Sequence, residues 1–497
     1  MQIAEKNSWE MTTISIEEGL KTGDIKLLLG NQQNIDTDYV ATIAKIKRFL
    51  ERWSADREFR ETLPFDPYGM TRKYNLDIDP EEIRLLWDIE FLQTYDPDRP
   101  IPLKVKQYDA YISESLEYRD KVREEGVPLD PLFKAWRSRQ IRRISSECGF
   151  EKAHSIVHAP FAIELSKGCS VGCWFCGVAA QRLEGIFYYS EDNARLWRQV
   201  LEVLREVIGP GASQGFCYWA TDPLDNPDYE HFLIDFHAVL NNLPQTTTAS
   251  AMRNPQRTKN LLKLSKEKNG VVERFSLLTL KEFDKVHQEF SAEELMSVEL
   301  ICQNDEAFGA KAYAGRAREE RFRKRVEASN HFHTYDGSYV SDTIACVSGF
   351  LLNMVDLTVK LISPCNADET WPLGYRVYDE ATFNTASELH IVLKQMIKKH
   401  MPLTLSLQHN ISFRPDLKYE KDEDAIHLSS QSVKHTFDGT PQLQEIVEFA
   451  FGKCQTVAEL ALLLEREKGI DLTQTLYYLN QMFQESMIEH SPHKEIG

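Results

Sequence analysis

The chain has 497 residues, of which 42% are hydrophobic and 27% charged, a balance typical of a globular protein with two or three domains. Asp and Glu number 76 against 58 Lys and Arg, and the resulting net charge of −18 argues against non-specific binding of nucleic acid. The longest apolar run, 344–355, is too short to span a bilayer, and the N-terminus lacks a secretion-signal pattern. We therefore expect a cytoplasmic protein with reduced cysteines and no membrane partner.

The first 150 residues predict helices. Residues 1–35 show little periodicity and are interpreted as a partly ordered arm. From Asp38 onward apolar side chains recur at spacings of three and four, which predicts a helical domain over residues 36–150. Near its end lie four arginines, interpreted as a solvated helix face: Arg137, Arg139, Arg142 and Arg143.

From Phe161 onward, short apolar segments alternate with amphipathic helical patterns. The apolar segments include FAIEL, GFCYWA, RFSLLTL, SVELICQ and TVKLIS. Such alternation predicts βα units, and hence an α/β domain with a mainly parallel sheet over residues 151–402. The charged segment 304–337 within this domain is interpreted as an insertion or a mobile loop.

The pattern changes again near Pro402. A strand-like stretch and the turn FDGT precede three short amphipathic helices, which predicts a winged-helix-like domain over residues 403–497. A helical cap on the preceding domain is the alternative. Acidic side chains dominate this region, so a DNA-binding winged helix is disfavoured.

The segment ELSKGCSVGCWFCG places Cys169, Cys173 and Cys176 in one short loop after a predicted strand. Three thiolates can bind three irons of a cubane and leave the fourth iron open. A zinc knuckle is the alternative, but structural zinc usually takes four protein ligands, and no nearby His or second CxxC pair supplies the fourth. We therefore predict a [4Fe–4S] cluster on these three cysteines.

This CxxxCxΦC loop resembles the motif of the radical S-adenosylmethionine (SAM) superfamily, in which Φ is aromatic. The resemblance implies a partial (β/α)6 barrel whose cluster chelates SAM at its open iron. YWATDP stands where the family has a Gly-Gly-Glu-like motif; it departs from that motif, although its aspartate can still accept hydrogen bonds from an ammonium. The SAM contacts implied are Phe175, Thr221, Asp222, Ser250 and Arg253. For Ser250 and Arg253, ordinary strand-end residues are the alternative.

Four longer stretches narrow the resemblance: HAPFAIELSKGCSVGCWFCG, YWATDPLDNPDYEHF, IACVSGFLLNM and LISPCNADETWPLGYRVY. Together they resemble the peptide epimerases that install D-amino acids in proteusin precursors, the PoyD and OspD type. The resemblance implies that a Cα hydrogen is abstracted and that a cysteine thiol returns hydrogen to the opposite face. Cys365, in a polar loop after TVKLIS, is the predicted donor, with Cys346 as runner-up and a buried structural thiol as the alternative.

The C-terminal domain resembles the recognition element that binds the leader of a ribosomally synthesised precursor peptide (a RiPP). The segment from Phe49 to Trp87 also loosely resembles such a leader, although a helical lid or docking domain explains it equally well. The expected partners are a precursor peptide, leader and core, and an electron donor such as flavodoxin or ferredoxin. With no SPASM-like cysteine cluster and no cobalamin domain, thioether maturases and methyltransferases are disfavoured. A crosslinking maturase and a non-catalytic Fe–S peptide-binding protein remain alternatives.

Overall fold

The computed structural model describes residues 27–29, 37–335 and 338–491. The predicted arm, residues 1–35, lies outside this part of the chain except for residues 27–29. Seven α-helices precede the first strand among the described residues: α1 Thr37–Ala55, α2 Arg57–Thr62, α3 Pro67–Lys73, α4 Ile89–Gln93, α5 Leu103–Glu125, α6 Pro131–Cys148 and α7 Phe150–Ser155. Aspartates begin four of them, because each carboxylate accepts a hydrogen bond from a backbone N–H of the first turn: Asp56, Asp66, Asp88 and Asp130.

The central region combines helices with short strands. Its strands are β1 Ala159–Glu164, β2 Ser166–Lys167, β3 Gly185–Ile186, β4 Thr247–Thr248, β5 Glu273–Leu277, β6 Val298–Cys302, β7 Thr334–Tyr335, β8 Ser338–Tyr339, β9 Val347–Asn353, β10 Thr358–Pro364 and β11 Tyr375–Thr382. Its helices are α8 Glu191–Ile208, α9 Tyr229–Leu240, α10 Pro255–Glu267, α11 Leu280–Glu289, α12 Arg323–Glu327 and α13 Ala386–His400.

The sheets are mixed rather than mainly parallel. Strand β1 pairs in parallel with β9, and β4, β5 and β6 are parallel to one another, but β9, β10 and β11 form an antiparallel meander. The reason is the connection from Asn353 to Thr358, which is far too short for the crossover that parallel neighbours require. The chain is thus an α/β protein with parallel strands, and its described strands do not close into a barrel.

Apolar packing holds the outer helices against this sheet. Strand side chains such as Phe161, Ile163 and Phe350 share one buried cluster with Trp197 and Leu201 of α8. Helix α13 packs into the same cluster, so the sheet that precedes the cysteine triplet is covered by helices on one face. Burial of this area supplies the main stabilisation of the region.

The C-terminal region forms two small sheets and three helices. Its elements are β12 Asn410–Phe413, β13 Lys418–Lys421, β14 Ile426–Ser429, β15 Lys434–Phe437, α14 Pro441–Ala450, β16 Gln455–Thr456, α15 Val457–Lys468, α16 Leu472–Gln484 and β17 Ile488–Ser491. Strands β13, β14 and β15 form an antiparallel sheet, and β12 pairs with β16 and β17. Helix α15 begins at a capping box of Thr456 and Glu459 and ends at a left-handed Gly469.

Helix α6 joins the central and C-terminal regions, contrary to the solvated face expected for its arginines. Arg137, Arg139 and Arg143 are each less than 5% exposed, while Arg142 is exposed and donates to the carbonyl of Gln484 at 2.8 Å. The buried guanidinium groups donate instead to the backbone carbonyls of His158, Pro402 and Pro364. Within the described residues, no helix is long and apolar enough to cross a membrane.

Candidate functional site

The three cysteines of the predicted cluster lie on one loop that begins directly after β1 and β2. The loop is closed by the pairing of β2 with β3 and by the Cys169 N–H, which donates to the Gln181 carbonyl at 2.8 Å. At Gly168, φ is +81° and an added Cβ would lie 2.1 Å from the Arg182 carbonyl oxygen, so only glycine fits where the two arms of the loop meet. All three cysteines are partly exposed.

The thiols are close enough to influence one another. Burial raises the pKa of the Cys173 thiol to about 12, and the neighbouring Cys176 and Cys169 add to that rise. Backbone N–H groups of Val171 and Ala180 donate to the sulfurs of Cys169 and Cys176, each at 3.4 Å. Such N–H donors to sulfur are one of the features that tune iron–sulfur clusters.

No group of three or more His, Cys, Asp or Glu side chains in the described ranges is arranged to hold a single metal ion. In a cubane each thiolate binds a different iron, so the three sulfurs need not converge on one point. The three thiols of this loop could hold three such irons.

One side of the cysteine loop is fixed by an acidic side chain that was not among the predicted site residues. Asp225, whose side chain is 2% exposed, accepts hydrogen bonds from the Ser170 backbone N–H at 2.8 Å and from the Ser170 hydroxyl. Arg253, a predicted SAM contact, donates to the Ser170 hydroxyl at 2.6 Å and to Asp225 at 3.0 Å. Arg253 therefore lies against the loop, held in an ion pair with Asp225.

The other side is fixed by the segment expected to be an insertion or a mobile loop. Arg316 donates to the carbonyls of Cys173, at 2.7 Å, and of Ala180. Its backbone N–H also donates to the Cys176 carbonyl at 3.0 Å. At the preceding Gly315, an added Cβ would lie 2.4 Å from that same Cys176 carbonyl oxygen. The described part of 304–337 is thus packed tightly onto the cysteine loop.

Three further predicted SAM contacts lie on the segments next to this loop. Asp222 is 4% exposed and accepts from the Thr248 hydroxyl and the Ala249 N–H, both at 2.8 Å, and its burial raises its pKa. Its charge also raises the pKa of Cys169, after burial, which indicates that the two are near each other. Thr221 is half-buried. Ser250 is 3% exposed, and its hydroxyl has no protein partner among the described residues.

The fifth predicted contact, Phe175, adjoins a lysine that sequence reasoning missed. Phe175 packs edge-on against Trp174, and the Lys311 ammonium lies 5.3 Å from the centre of the Phe175 ring. Lys311 is 6% exposed and its Nζ atom has no hydrogen-bond partner in the described chain. Burial lowers its pKa to about 8. Lys311 is therefore a buried ammonium beside the cysteine loop whose Nζ atom has no partner among the described residues.

Cys365 and the cysteine loop lie at opposite ends of the sheet formed by β1, β9, β10 and β11. Because β10 runs antiparallel to β9, the C-terminal end of β10 lies beside the N-terminal end of β1. The cysteine loop follows the C-terminal end of β1, at the other end of these strands. The Cys365 loop contacts segment 304–337, since the Gly315 N–H donates to the Pro372 carbonyl at 2.7 Å, and the next residue of that segment, Arg316, in turn contacts the cysteine loop. Cys365 is 2% exposed, and burial raises the pKa of its thiol to about 12.

Charged side chains enclose the Cys365 loop. Glu147, 4% exposed at the end of α6, accepts from Arg143 at 3.1 Å, from Arg376 at 3.0 Å and from the Asn366 backbone N–H at 3.2 Å. The Cys148 thiol donates to the Asn366 side-chain carbonyl at 2.9 Å. Arg376 also pairs with Glu489 on β17. The loop is therefore connected through ion pairs to the C-terminal region.

The runner-up donor, Cys346, is half-buried immediately before β9. It packs against the same apolar cluster as Tyr218 and Trp219, and burial raises the pKa of its thiol to about 11. Cys217 is buried in the core, and Cys454 is exposed in the C-terminal region.

No family model matches the chain. The uncharacterized protein y4wI of Sinorhizobium fredii (strain NBRC 101917 / NGR234) is 39% identical over 460 residues, which cover 90% of this chain and 87% of y4wI. Among solved structures, BtrN in complex with AdoMet and 2-DOIA is similar over 28% of this chain and 55% of its own, at 13% identity and a TM-score of 0.22. A TM-score this low supports no conclusion about fold or function. The identity to y4wI extends over most of both proteins, and the chain therefore belongs to the same family as y4wI.

Proposed function

We propose that the chain is a radical SAM enzyme with one [4Fe–4S] cluster bound by Cys169, Cys173 and Cys176. The observation that carries the proposal is a loop with three partly exposed thiols, whose backbone is held by Asp225 on one side and by Arg316 on the other. Three thiolates leave one iron of a cubane open, as SAM chelation requires. On this proposal, β1, the Phe216 segment and β4–β6 belong to a partial (β/α)6 barrel.

The residues around the loop supply a site for SAM. When bound, the cluster and SAM supply a 5′-deoxyadenosyl radical that removes a hydrogen atom from substrate. Ser250 offers a hydroxyl and Lys311 a cation, and both lack other partners in the described chain. Asp222 is an acceptor for an ammonium group, and Phe175 provides an aromatic surface. Asp225 and Arg316 bind groups of the cysteine loop and act by positioning it.

The reaction proposed is epimerisation of L-residues in a ribosomal precursor peptide, on the strength of the four sequence stretches that resemble peptide epimerases. After the Cα hydrogen is lost, the Cys365 S–H delivers a hydrogen atom to the opposite face of the planar carbon. The resulting thiyl radical takes one electron from a flavodoxin- or ferredoxin-like donor and one proton to restore the thiol. Burial raises the pKa of the Cys365 thiol, as it does for Cys346, so either thiol carries the hydrogen that a donor needs.

The C-terminal region offers an edge for the leader of that peptide. Within the described chain β15 pairs only with β14, so the outer backbone groups of Lys434–Phe437 can accept an added strand. Main-chain hydrogen bonds would supply affinity in that mode, and neighbouring side chains would supply specificity.

Anaerobically reconstituted and reduced protein tests both parts of the proposal. We expect SAM to be converted to 5′-deoxyadenosine, and a protein whose cluster leaves SAM intact would contradict the enzyme assignment. With a precursor peptide in deuterated water, each inverted residue should gain one deuterium, which mass spectrometry detects. Loss of hydrogens without deuterium gain would instead indicate crosslinking and contradict the epimerase assignment.

A further inference from the structure

A cavity with apolar and polar walls lies between α6 and the C-terminal region, away from the cysteine loop. Its volume is about 80 Å³. Because roughly 10–15 Å³ is enough for one water, the cavity accommodates a group of several heavy atoms. Its polar lining comes from Arg139, Gln140 and Arg143 of α6, Tyr378, His400, Ser486, Glu489 and His490. Glu489, whose side chain is 32% exposed, marks the side nearest solvent.

Most of the charged side chains around the cavity are already neutralised. Arg143 pairs with Glu147, and Glu489 pairs with Arg376. The Nε2 atom of His400 lies 2.7 Å from an Asp379 carboxylate oxygen. These partners leave no carboxylate of the lining unengaged.

Arg139 is the exception. It is 3% exposed, donates one Nη2 hydrogen bond to the Pro402 carbonyl at 2.7 Å, and stacks 4.2 Å above the Phe483 ring. Its Nη1 atom has no partner in the described chain, and it forms no ion pair there. Burial lowers its pKa to about 10, with no carboxylate near enough to oppose that shift. A buried guanidinium without a counter-charge is costly, so this arrangement favours a bound anion.

A second unpartnered group lines the same cavity. The Nε2 atom of His490 is buried without a hydrogen-bond partner among the described residues. The pKa of His490 is lowered to about 3, mainly by burial and in part by the adjacent His409, Arg139 and His400. Two free nitrogens, from α6 and β17, thus adjoin a space with an uncompensated positive charge.

We infer that this cavity is a binding site for one small oxyanion, held by Arg139 Nη1 and His490 Nε2. Inorganic phosphate and the carboxylate of a small organic acid share the required chemistry. An oxyanion there supplies the missing counter-charge and links α6 to the C-terminal region. This site is separate from the cysteine loop and does not depend on the proposed enzyme activity.

Equilibrium dialysis of the full chain against radiolabelled phosphate or acetate, at constant ionic strength, tests the inference directly. We expect one anion per chain, displaced by an excess of the unlabelled ion, and a rise in the unfolding temperature of about 2 °C at saturation. Binding of phosphate alone or of acetate alone identifies the source of the oxyanion. If neither ion binds, the cavity holds only water and the inference is wrong.

Variants of α6 locate the site. Arg139→Gln should lose both anion binding and the anion-dependent rise, whereas Arg139→Lys should retain a weaker form of both. Arg142→Gln is the matched control, because Arg142 is exposed on the same helix and also donates to the C-terminal region. Anion binding that survives unchanged in Arg139→Gln would overturn the assignment. If Arg139→Gln fails to fold, anion affinity is compared between Arg139→Lys and the unmodified chain instead. Equal affinity in these two proteins would also overturn the assignment.

Discussion

In the cysteine loop the backbone is fixed and the thiols are left accessible, whereas in the Cys365 loop the thiol itself is enclosed. Asp225 and Arg316 hold backbone groups of the first loop, and its three cysteines are partly exposed. In the second loop Cys365 is 2% exposed, with Glu147 and Arg376 around it. Charged side chains hold both loops in place, but only the cysteine loop leaves its sulfurs partly exposed.

The difference matches the two roles proposed for cysteine here. A cluster ligand must be reached by iron, so partial exposure suits it; burial raises the pKa of Cys173, and its proton is displaced when iron binds. A hydrogen-atom donor must instead keep its S–H bond until a radical is adjacent, and burial favours the protonated form. Substitutions in the two loops should therefore impair different steps of the proposed reaction.

Removal of one ligand should have the largest effect. Cys173→Ala leaves two thiolates for the cluster, and we expect reconstituted protein to lose its iron–sulfur absorbance and all SAM cleavage. Cys454→Ala, at an exposed cysteine of the C-terminal region, is the control and should keep both. Iron and sulfide analysis with visible spectroscopy provides the measurement. A Cys173→Ala protein with a full, SAM-responsive cluster would refute the ligand assignment.

Removal of the predicted donor should abolish one product only. Cys365→Ala should still convert SAM to 5′-deoxyadenosine, because the cluster ligands are intact, while D-residues and deuterium incorporation fall to background. Cys346→Ala should epimerise normally. The opposite pattern, with Cys346→Ala inactive and Cys365→Ala active, would transfer the donor role to Cys346. Chiral amino-acid analysis of the peptide distinguishes these outcomes.

The local features of the fold were predictable from sequence. The cysteine loop follows a strand as expected, and the capping box of Thr456 and Glu459 begins a helix where its spacing indicates. Both depend on residues a few positions apart, so the chain segment alone determines them.

Features that depend on distant contacts were not predictable. Arg316 lies 143 positions from Cys173, and nothing in its surrounding sequence distinguishes it from a solvated arginine. The arginines of α6 were misjudged for the same reason, since their acceptors are carbonyls far along the chain. The direction of β10 depends on the short Asn353–Thr358 connection, which an apolar pattern does not reveal.

A substitution of Glu147 tests whether the ion pairs around the Cys365 loop stabilise it. Glu147→Gln removes the carboxylate shared by Arg143 and Arg376, leaving two buried guanidinium groups without it. Breaking a buried ion pair in this way costs about 3–5 kcal/mol. Denaturant unfolding should show that loss, while the exposed Glu191→Gln control should change the free energy of unfolding little. A Glu147→Gln protein as stable as the control would show that the network does not hold the loop.

Loosening the cysteine loop should reduce SAM cleavage less than removing a cluster ligand does. Asp225→Asn keeps the shape of the side chain but removes the charge that pairs with Arg253. Groups that orient cluster ligands typically alter metal affinity or activity by about 10–100-fold, and we expect SAM cleavage per cluster to fall within that range. Asp192→Asn, on the exposed face of α8, is the control. Unaltered cleavage and cluster retention in Asp225→Asn would count against the positioning role.

The smallest effect concerns the affinity for SAM. If the carboxylate of SAM pairs with Lys311, Lys311→Met should weaken SAM binding about tenfold, the loss expected for one charge-assisted hydrogen bond of about 1.5 kcal/mol. The pKa of Lys311 is about 8 in the free chain, so SAM affinity should fall as pH rises through that value and the ammonium loses its proton. Lys311→Met should lack this pH step, and Lys281→Met, on the separate helix α11, should retain it. Equal SAM affinity in the Lys311→Met and unmodified proteins at pH 7 would show that Lys311 stabilises Phe175 rather than SAM.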